Sequence, residues 1–440
     1  MKRLPQPDRL IGYQQITLEP KEEVTVMSKA KKRIIVNYQG IIVGIDIGKD
    51  QHVVVALAPD GRFSKPVKIH NGREGYEDLL CRIIQWKNEY TAHEVMVGME
   101  STGHYWEVPA RWLAAKGIQV VQVNALHTKR AKEIEDNTPG KTDPKDARII
   151  AQLVRYGKYL SYILPEGSVA ELRELVRIRQ HLVTELTEKR NYLRRLLDSV
   201  FPEIFSVFKK SWGKTFLHLL HEYPLPEDMI SAGLSTVTAR LKERCRNIMA
   251  KKLQNVYILT WTTVGVPVAH GAYRIGSINT VERIMDLQEK KSEVEKHMES
   301  LLVEIPEAAF LLSVKGIGVI SVAVILGETG GLSRYAHAEE VIKLAGLNLF
   351  EISSGKHKGK VRISKRGRPL LRHILFLLAT IQAKKGMPLY REYEQLIERN
   401  MASVKALIAL SRKLVRVLFA LVRDKRFYSY EEPVLLKMAA

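Results

Sequence analysis

The chain has 440 residues, long enough at roughly 100 to 200 residues per domain for two to four domains and an ample core, so disorder is not the default expectation. It carries 69 lysines and arginines against 48 aspartates and glutamates, a formal charge of +21 that favours a polyanionic partner such as nucleic acid. The longest apolar run, Ile374 to Ile381, falls far short of the roughly 20 residues that span a bilayer, and no lipidation motif or purely basic amphipathic face is present, which predicts a soluble cytoplasmic protein without a membrane partner.

Residues 1 to about 34 are polar and aperiodic and end in Lys29, Lys31, Lys32 and Arg33, the pattern of a flexible basic arm. Strand-like runs follow at Ile41 to Ile47, His52 to Ala58 and Ser64 to Ile69, then a helix over Glu74 to Trp86. Beyond them come a strand over Glu94 to Met99, a helix over Trp106 to Ala115, a strand over Ile118 to Val123 and a helix beginning at Pro144. Three consecutive strands followed by alternating helices and strands predict a mixed α/β sheet. The only cysteines, Cys81 and Cys245, have neither disulfide-framework nor zinc spacing and read as buried reduced thiols.

Leu172, Leu175, Leu182, Leu186, Leu193, Leu196 and Val200 fall on heptad a and d positions, interrupted by Arg179 and Lys189. A second stripe contains Val281, Ile284, Leu287, Val294, Met298 and Leu301. Two long helices with one narrow stripe each predict an antiparallel coiled-coil hairpin or a dimerisation arm. Residues 205 to 280 carry no clear pattern. From Ile305 the chain reads as helical, with helices over Ala338 to Ala345, Pro369 to Lys384 and Ala402 to Val422. Ser313 to Gly318 resembles a helix-hairpin-helix turn that offers backbone N–H groups to phosphate, although a plain glycine turn fits as well.

Four acids stand out against this basic background: Asp46 in Gly-Ile-Asp-Ile-Gly, Glu100 in Val-Gly-Met-Glu-Ser, and Asp143 and Asp146 in Lys-Thr-Asp-Pro-Lys-Asp-Ala. Strand alternation places Gly44, Asp46 and Gly48 on one face, and Gly98 with Glu100 on one face, so both acids are expected at uncrowded positions open to an ion or phosphate. Asp143 and Asp146 share one side of a helix start, where N-capping alone also accounts for them. Gathered together, four carboxylates would hold two magnesium ions and clamp the oxygens of a phosphodiester. Asp46 alone also resembles the phosphate loop of actin-like ATPases, but no second Asp-x-Gly loop or adenosine-binding glycine motif accompanies it.

The segment from Gly346 to Leu375 contains Ser353-Ser354-Gly355 and the cations Lys356, Lys358, Lys360, Arg362, Lys365, Arg366, Arg368 and Arg372, with no acid between Ser353 and Arg391. Such density predicts a salt-sensitive nucleic-acid backbone contact, against the plainer reading of a solvated basic loop. A serine hydroxyl beside these cations could attack a phosphate, although Ser-Ser-Gly is also an ordinary turn and no base is evident nearby.

Together, in order and spacing from about Ile41 to Leu375, these motifs resemble the DEDD transposases of bacterial insertion sequences, a family of bridge-RNA-guided serine recombinases. The resemblance implies a RuvC-like domain of ribonuclease H fold over 35–160, a coiled-coil helical region over 165–304 and a mainly α C-terminal transposase domain over 305–440. It implies Asp46, Glu100, Asp143 and Asp146 as magnesium ligands and Ser354, with Ser353 second, as the nucleophile that links covalently to DNA. Its partners would be target and donor DNA, a structured non-coding guide RNA and further copies of the chain as a dimer or tetramer, in a nucleoid-associated bacterial protein. Family members often have Ser-Gly-Gly-Lys where this chain has Ser-Gly-Lys-His, and the long N-terminal arm is an addition. Two other functions compete: a Holliday-junction-resolvase-like nuclease that uses water, and an RNA-binding scaffold whose acids are caps and buried structural groups.

Overall fold

The computed structural model describes residues 39–100, 103–136, 143–161, 165–208, 212–245, 250–265, 270–351, 359 and 361–429. They fall into two compact units, Met1–Leu160 and Ser161–Ala440. The basic arm expected over residues 1 to 34 lies outside the described residues.

In the first unit the elements are β1 (Ile41–Asp46), β2 (Gln51–Leu57), β3 (Val67–His70), α1 (Arg73–Glu89), β4 (Val95–Glu100) and α2 (Glu107–Ala115), followed by β5 (Gln119–Val123), α3 (Ala125–Asp136), α4 (Asp143–Arg155) and β6 (Tyr159–Ser161). The six strands form one sheet in the order β3-β2-β1-β4-β5-β6. β2 runs antiparallel to both β1 and β3, whereas β4 is parallel to β1 and to β5. A tight turn suffices for the first hairpin, and Gly48 allows it: a Cβ there would lie 2.2 Å from the Gln51 carbonyl oxygen. The parallel return from β3 to β4 needs a crossover, which α1 supplies. Ile41, Ile42, Val43 and Ile45 are all at most 3% exposed, so β1 is central and covered on both faces.

Helix α1 buries Tyr76, Leu79, Ile83 and Trp86, spaced three or four apart along one side. Cys81 is on the opposite side and exposed, which corrects the expectation of two buried thiols; Cys245 is buried as expected. The sequence pattern does not show α3 and β6, and β3 starts at Val67, three residues later than expected; Ser64, ahead of it, pairs with Ala56 of β2, accepting from the Ala56 N–H at 2.9 Å.

The second unit is mainly helical. It contains α5 (Gly167–Val200), α6 (Ile204–Val207), α7 (Lys214–Glu222), α8 (Pro226–Arg244), α9 (Ala250–Thr262), α10 (His270–Val303), α11 (Pro306–Leu312), α12 (Val319–Thr329) and α13 (Ala338–Leu344). Two short strands, β7 (Leu349–Phe350) and β8 (Arg362–Ile363), precede α14 (Pro369–Gln382), α15 (Tyr390–Glu398) and α16 (Ser403–Arg423). The long helices α5 and α10 pack antiparallel, as the pairings Ser168 with Glu304, Arg179 with Glu295 and Arg283 with Glu185 show. Arg179, which breaks the apolar stripe, donates from Nε to Glu295 at 2.7 Å, so the charge is neutralised within the seam.

Residues 205 to 280, unreadable in sequence, fold into short helices that share a core with the far end of the long pair. Phe216, Leu219, Leu220 and Leu241 there pack with Leu193, Leu197, Val281 and Ile284. A second core joins Leu172 and Val176 to the buried run Val322–Leu326 of α12 and to Leu371, Leu375, Leu414 and Leu418. No described helix is long and apolar enough to cross a membrane.

Candidate functional site

The chain runs leftward from β1 through β2 to β3, then returns to the other side of β1 as β4, so the order reverses between β1 and β4. Ligands of open α/β sheets bind beyond the carboxyl ends of strands at such a reversal. Asp46 is the last residue of β1 and Glu100 the last of β4. The parallel register pairs Ile45 with Met99, so Asp46 and Glu100 leave the sheet side by side on one face.

That face is covered by α4, and the glycines explain how. Gly44 and Gly98 are register partners. A Cβ on Gly44 would fall 2.0 Å from the Ala147 carbonyl oxygen and 2.8 Å from the Ala151 nitrogen. One on Gly98 would fall 2.5 Å from Val154 Cγ2 and 3.2 Å from Ile150 Cγ2. The expectation that these glycines keep the acids uncrowded is therefore corrected: Gly44 makes room for the backbone of α4 and Gly98 for its Val154 and Ile150 side chains. Ala147 and Ala151, one turn apart, fill the room over Gly44. Asp146 immediately precedes Ala147 and is carried down with the helix to 3% exposure.

The electrostatics show which acids act on Asp46. The Asp46 carboxyl is pushed up from 3.8 to about 6 by its own burial and then by the charges of Asp146, Asp143 and Glu100, opposed by Lys132. All four acids of the three sequence motifs therefore act on one place. Asp146 lies in the first turn of α4, where an acid also suits the helix N-terminus. Its Oδ2 accepts from Lys132 Nζ at 2.5 Å, and its Oδ1 is buried with no hydrogen-bond partner among the described residues. Asp143, the first residue of α4, is exposed.

An all-oxygen donor set suits a hard cation such as magnesium, and the orphaned Asp146 oxygen is the kind of lone pair a cation satisfies. Among the described residues, however, no three His, Cys, Asp or Glu side chains are drawn together into a finished metal cage. Lys132 was not legible as a site residue. It lies in a helix with several other basic residues, and nothing in its local sequence separates it from Lys129 or Arg130.

Comparison with known proteins bears on what such a site belongs to. Residues 43–202 match the DEDD transposase model of the IS110 group, and residues 308–395 match the transposase model of the IS116/IS110/IS902 family. The 44.8 kDa protein of insertion element IS116 from Streptomyces clavuligerus is 26% identical over 396 residues, covering 90% of this chain and 97% of that protein. The 43.6 kDa protein of insertion element IS110 from Streptomyces coelicolor is also 26% identical, over 91% of this chain and 98% of its own length. The chain belongs to the IS110 family of DEDD transposases.

Among other similar proteins is the pilin gene-inverting protein of Moraxella bovis, 23% identical over 87% of this chain and 96% of its own length. A solved chain of T. thermophilus RuvC in complex with a Holliday junction substrate covers 28% of the transposase at 15% identity and a TM-score of 0.22. The first match of the transposase takes in nearly all of the six-stranded sheet and all four acids, so its N-terminal unit is an α/β fold that carries the family's DEDD part, followed by a mainly helical unit.

The basic serine segment of the transposase lies within its second match. β7 and β8 pair antiparallel, Leu349 with Ile363 and Phe350 with Arg362, and the serines stand between them in sequence. Ser353, Ser354, Lys356, Lys358 and Lys360 lie outside the described residues. Arg362 and Arg366 are exposed, and Lys365 takes a left-handed backbone conformation at φ 54°. Arg368 lies 3.9 Å from Glu328 and, with Arg173 and Arg177 of α5, lines a groove of about 370 Å³. Arg372 is engaged internally: its Nη1 donates to the carbonyls of Ala345 at 3.1 Å and Lys365 at 3.2 Å, so it shapes the loop the other cations occupy. At the expected helix-hairpin-helix turn Gly316 has φ 88°, and the Lys315 carbonyl accepts from Gln382 Nε2 at 2.7 Å.

Proposed function

We propose that this transposase recombines DNA through a serine nucleophile, assisted by a magnesium-binding carboxylate cluster and guided by a structured non-coding RNA. The observation that supports the metal part is that the charges of Asp146, Asp143 and Glu100 all act on Asp46, whose carboxyl is raised to about 6 first by its own burial and then by those charges. Asp46, Glu100, Asp143 and Asp146 would hold the ions, probed as Mg²⁺ or Mn²⁺. When bound, magnesium supplies Lewis-acid stabilisation of charge on the phosphodiester oxygens.

The residues of the chain do the rest. Ser354, with Ser353 as second choice, attacks phosphorus. Its oxygen forms a new phosphodiester to one strand end, and the leaving sugar oxygen departs as a hydroxyl that takes the proton. The hydroxyl of a second strand then attacks the serine-linked phosphorus, returns the serine to its free form and seals the exchanged strands. Bond energy is conserved in both steps, which suits recombination without an external energy source. Lys356, Lys358, Lys360, Arg362, Lys365, Arg366 and Arg368 hold the backbone by charge, and sequence choice falls to base pairing with the RNA. The name of the pilin gene-inverting relative supports a reaction that rejoins what it cuts. A dimer or tetramer is part of this reading, supported by the exposed apolar residues Ile258, Trp261, Val264 and Ile275 near the junction of α9 and α10.

The test is reconstitution of purified protein, its RNA, both DNA partners and magnesium, with the protein–DNA adduct trapped in denaturant. Wild type is expected to give strand exchange and an adduct, and Ser354→Ala to give neither. An adduct that persists in Ser354→Ala and disappears in Ser353→Ala moves the nucleophile by one residue. Full cleavage without an adduct in the double mutant would establish the water-using nuclease instead.

A further inference from the structure

We infer that Lys132 is a stand-in cation for the metal: it neutralises Asp146 in the ion-free protein and must leave that carboxylate for an ion to be held there. The inference rests on the carboxylate reading proposed above and adds a control over when the site loads.

Three observations carry it. First, Asp146 is buried, with its side chain 5% exposed, and Lys132 beside it is partly buried at 20%. A carboxylate this deep is not tolerated as an anion without a compensating cation. Second, the compensation is incomplete. A carboxylate offers about four acceptor sites, and the ammonium meets Oδ2 only, leaving Oδ1 buried with no partner among the described residues. A pair selected for stability alone would satisfy both oxygens. Third, Lys132 serves more than its partner: its charge also opposes the three acids that act on Asp46. The cation thus takes part of the electrostatic role that a divalent ion would take among the same carboxylates.

The residue type fits a removable cation. Lysine carries a compact charge on a flexible four-carbon stem and makes one point contact, whereas an arginine fork would lock both carboxylate oxygens. Its placement on α3, which packs against α4, puts the ammonium beside Asp146 without using any residue of the acidic motifs. The consequence is weak ion binding by the free protein, which guards against unprogrammed nicking, and tighter binding once a phosphate backbone draws the ammonium away.

The experiment is Mn²⁺ titration of the full chain without nucleic acid, followed by calorimetry and by the electron paramagnetic resonance of free ion. Lys132→Met and Lys132→Gln are expected to bind Mn²⁺ roughly tenfold tighter than wild type, from loss of one competing charge. Lys132→Arg is expected to bind no tighter than wild type. The sign is the discriminating feature, since a lysine needed only for folding would, on removal, weaken or abolish binding. Equal or weaker affinity in folded Lys132→Met and Lys132→Gln, with wild type still binding more tightly than Asp46→Asn, overturns the role of Lys132 alone. Binding no tighter in wild type or any Lys132 variant than in Asp46→Asn overturns the carboxylate reading and this inference with it.

Discussion

Asp46→Asn is expected to abolish DNA cleavage and, at the same time, to make the ion-free protein more stable at neutral pH. The cleavage loss should be at least about 100-fold, since the substitution removes a charged oxygen donor from the centre of the carboxylate group. The stability gain follows from linkage. The folded-state carboxyl is raised to about 6 from 3.8, so the folded protein binds a proton the unfolded chain has already released. Below pH 4 both states are protonated and Asp46 costs nothing. The penalty grows as pH rises from about 4 to about 6 and is constant above that. Asparagine removes it. Allowing for solvent screening of a partly exposed group, the gain is about 1 to 2 kcal/mol at pH 7.5, seen as a rise of roughly 2 to 8 °C in melting temperature. Melts at pH 4 and pH 7.5, with and without Mg²⁺, check it. The variant should melt higher than wild type at pH 7.5, no differently at pH 4, and gain nothing from Mg²⁺ that stabilises wild type. A variant destabilised at pH 7.5 would mean that Asp46 is a structural group, as in the scaffold reading.

Such a gain from deleting a charge marks a site kept at a cost in stability, and it bears on what was legible beforehand. Most strands and helices of the first unit, α3 and β6 excepted, could be read because they have a period: Val43, Ile45 and Ile47 alternate, and Tyr76, Leu79, Ile83 and Trp86 recur every three or four residues. The acids could be read as a set because short spacings within each motif fix their side of a strand or helix. What joins the motifs could not. Convergence of Asp46 with Asp146 depends on the register of β1 with β4 and on the seating of α4, both long-range pairings with no local signature.

The failures have the same origin. Gly44 was read as an open approach to a ligand because local sequence cannot say which element covers a strand face; the backbone of α4 does. Residues 205 to 280 showed no stripe because their helices are short and wrapped on several sides, so Phe216, Leu217, Leu219 and Leu220 are all buried on one nine-residue helix. Lys132 was invisible because a partly buried, paired lysine and a solvated one look alike in sequence. β7 and β8 are two residues each, too short for any alternation to register.

The slot formed by Gly44 yields the second large effect, on the seating of the whole site. Gly44→Ala would place a methyl group 2.0 Å from the Ala147 carbonyl oxygen and 2.8 Å from the Ala151 nitrogen. Both are backbone atoms, so no rotamer change relieves the clash and α4 must move off the sheet. Moving it opens the packing of Ile149, Ile150 and Val154 against Ile42, Met96 and Val121 and lifts Asp146 away from Asp46. The expected cost is about 3 kcal/mol or more, at the upper end for overpacking, with cleavage lost in whatever fraction remains folded. Gly98→Ala is the control. Its methyl meets side-chain atoms instead of backbone, Val154 Cγ2 at 2.5 Å and Ile150 Cγ2 at 3.2 Å, and although these β-branched side chains rotate little, two methyl groups and not the backbone of α4 must shift, so a smaller cost of about 2 kcal/mol is expected. Denaturant melts of both variants decide it, with Asp46 followed by the pH dependence of stability. In Gly44→Ala the destabilisation between pH 4 and pH 6 should shrink, because an Asp46 carboxyl freed of Asp146 and of the covering helix titrates closer to an ordinary aspartate. Equal costs for the two alanines, or an unchanged pH dependence in Gly44→Ala, would show that the acids are not assembled by the seating of α4. A large difference between them would make the glycine of β1 as much a part of the carboxylate site as the acid two residues after it.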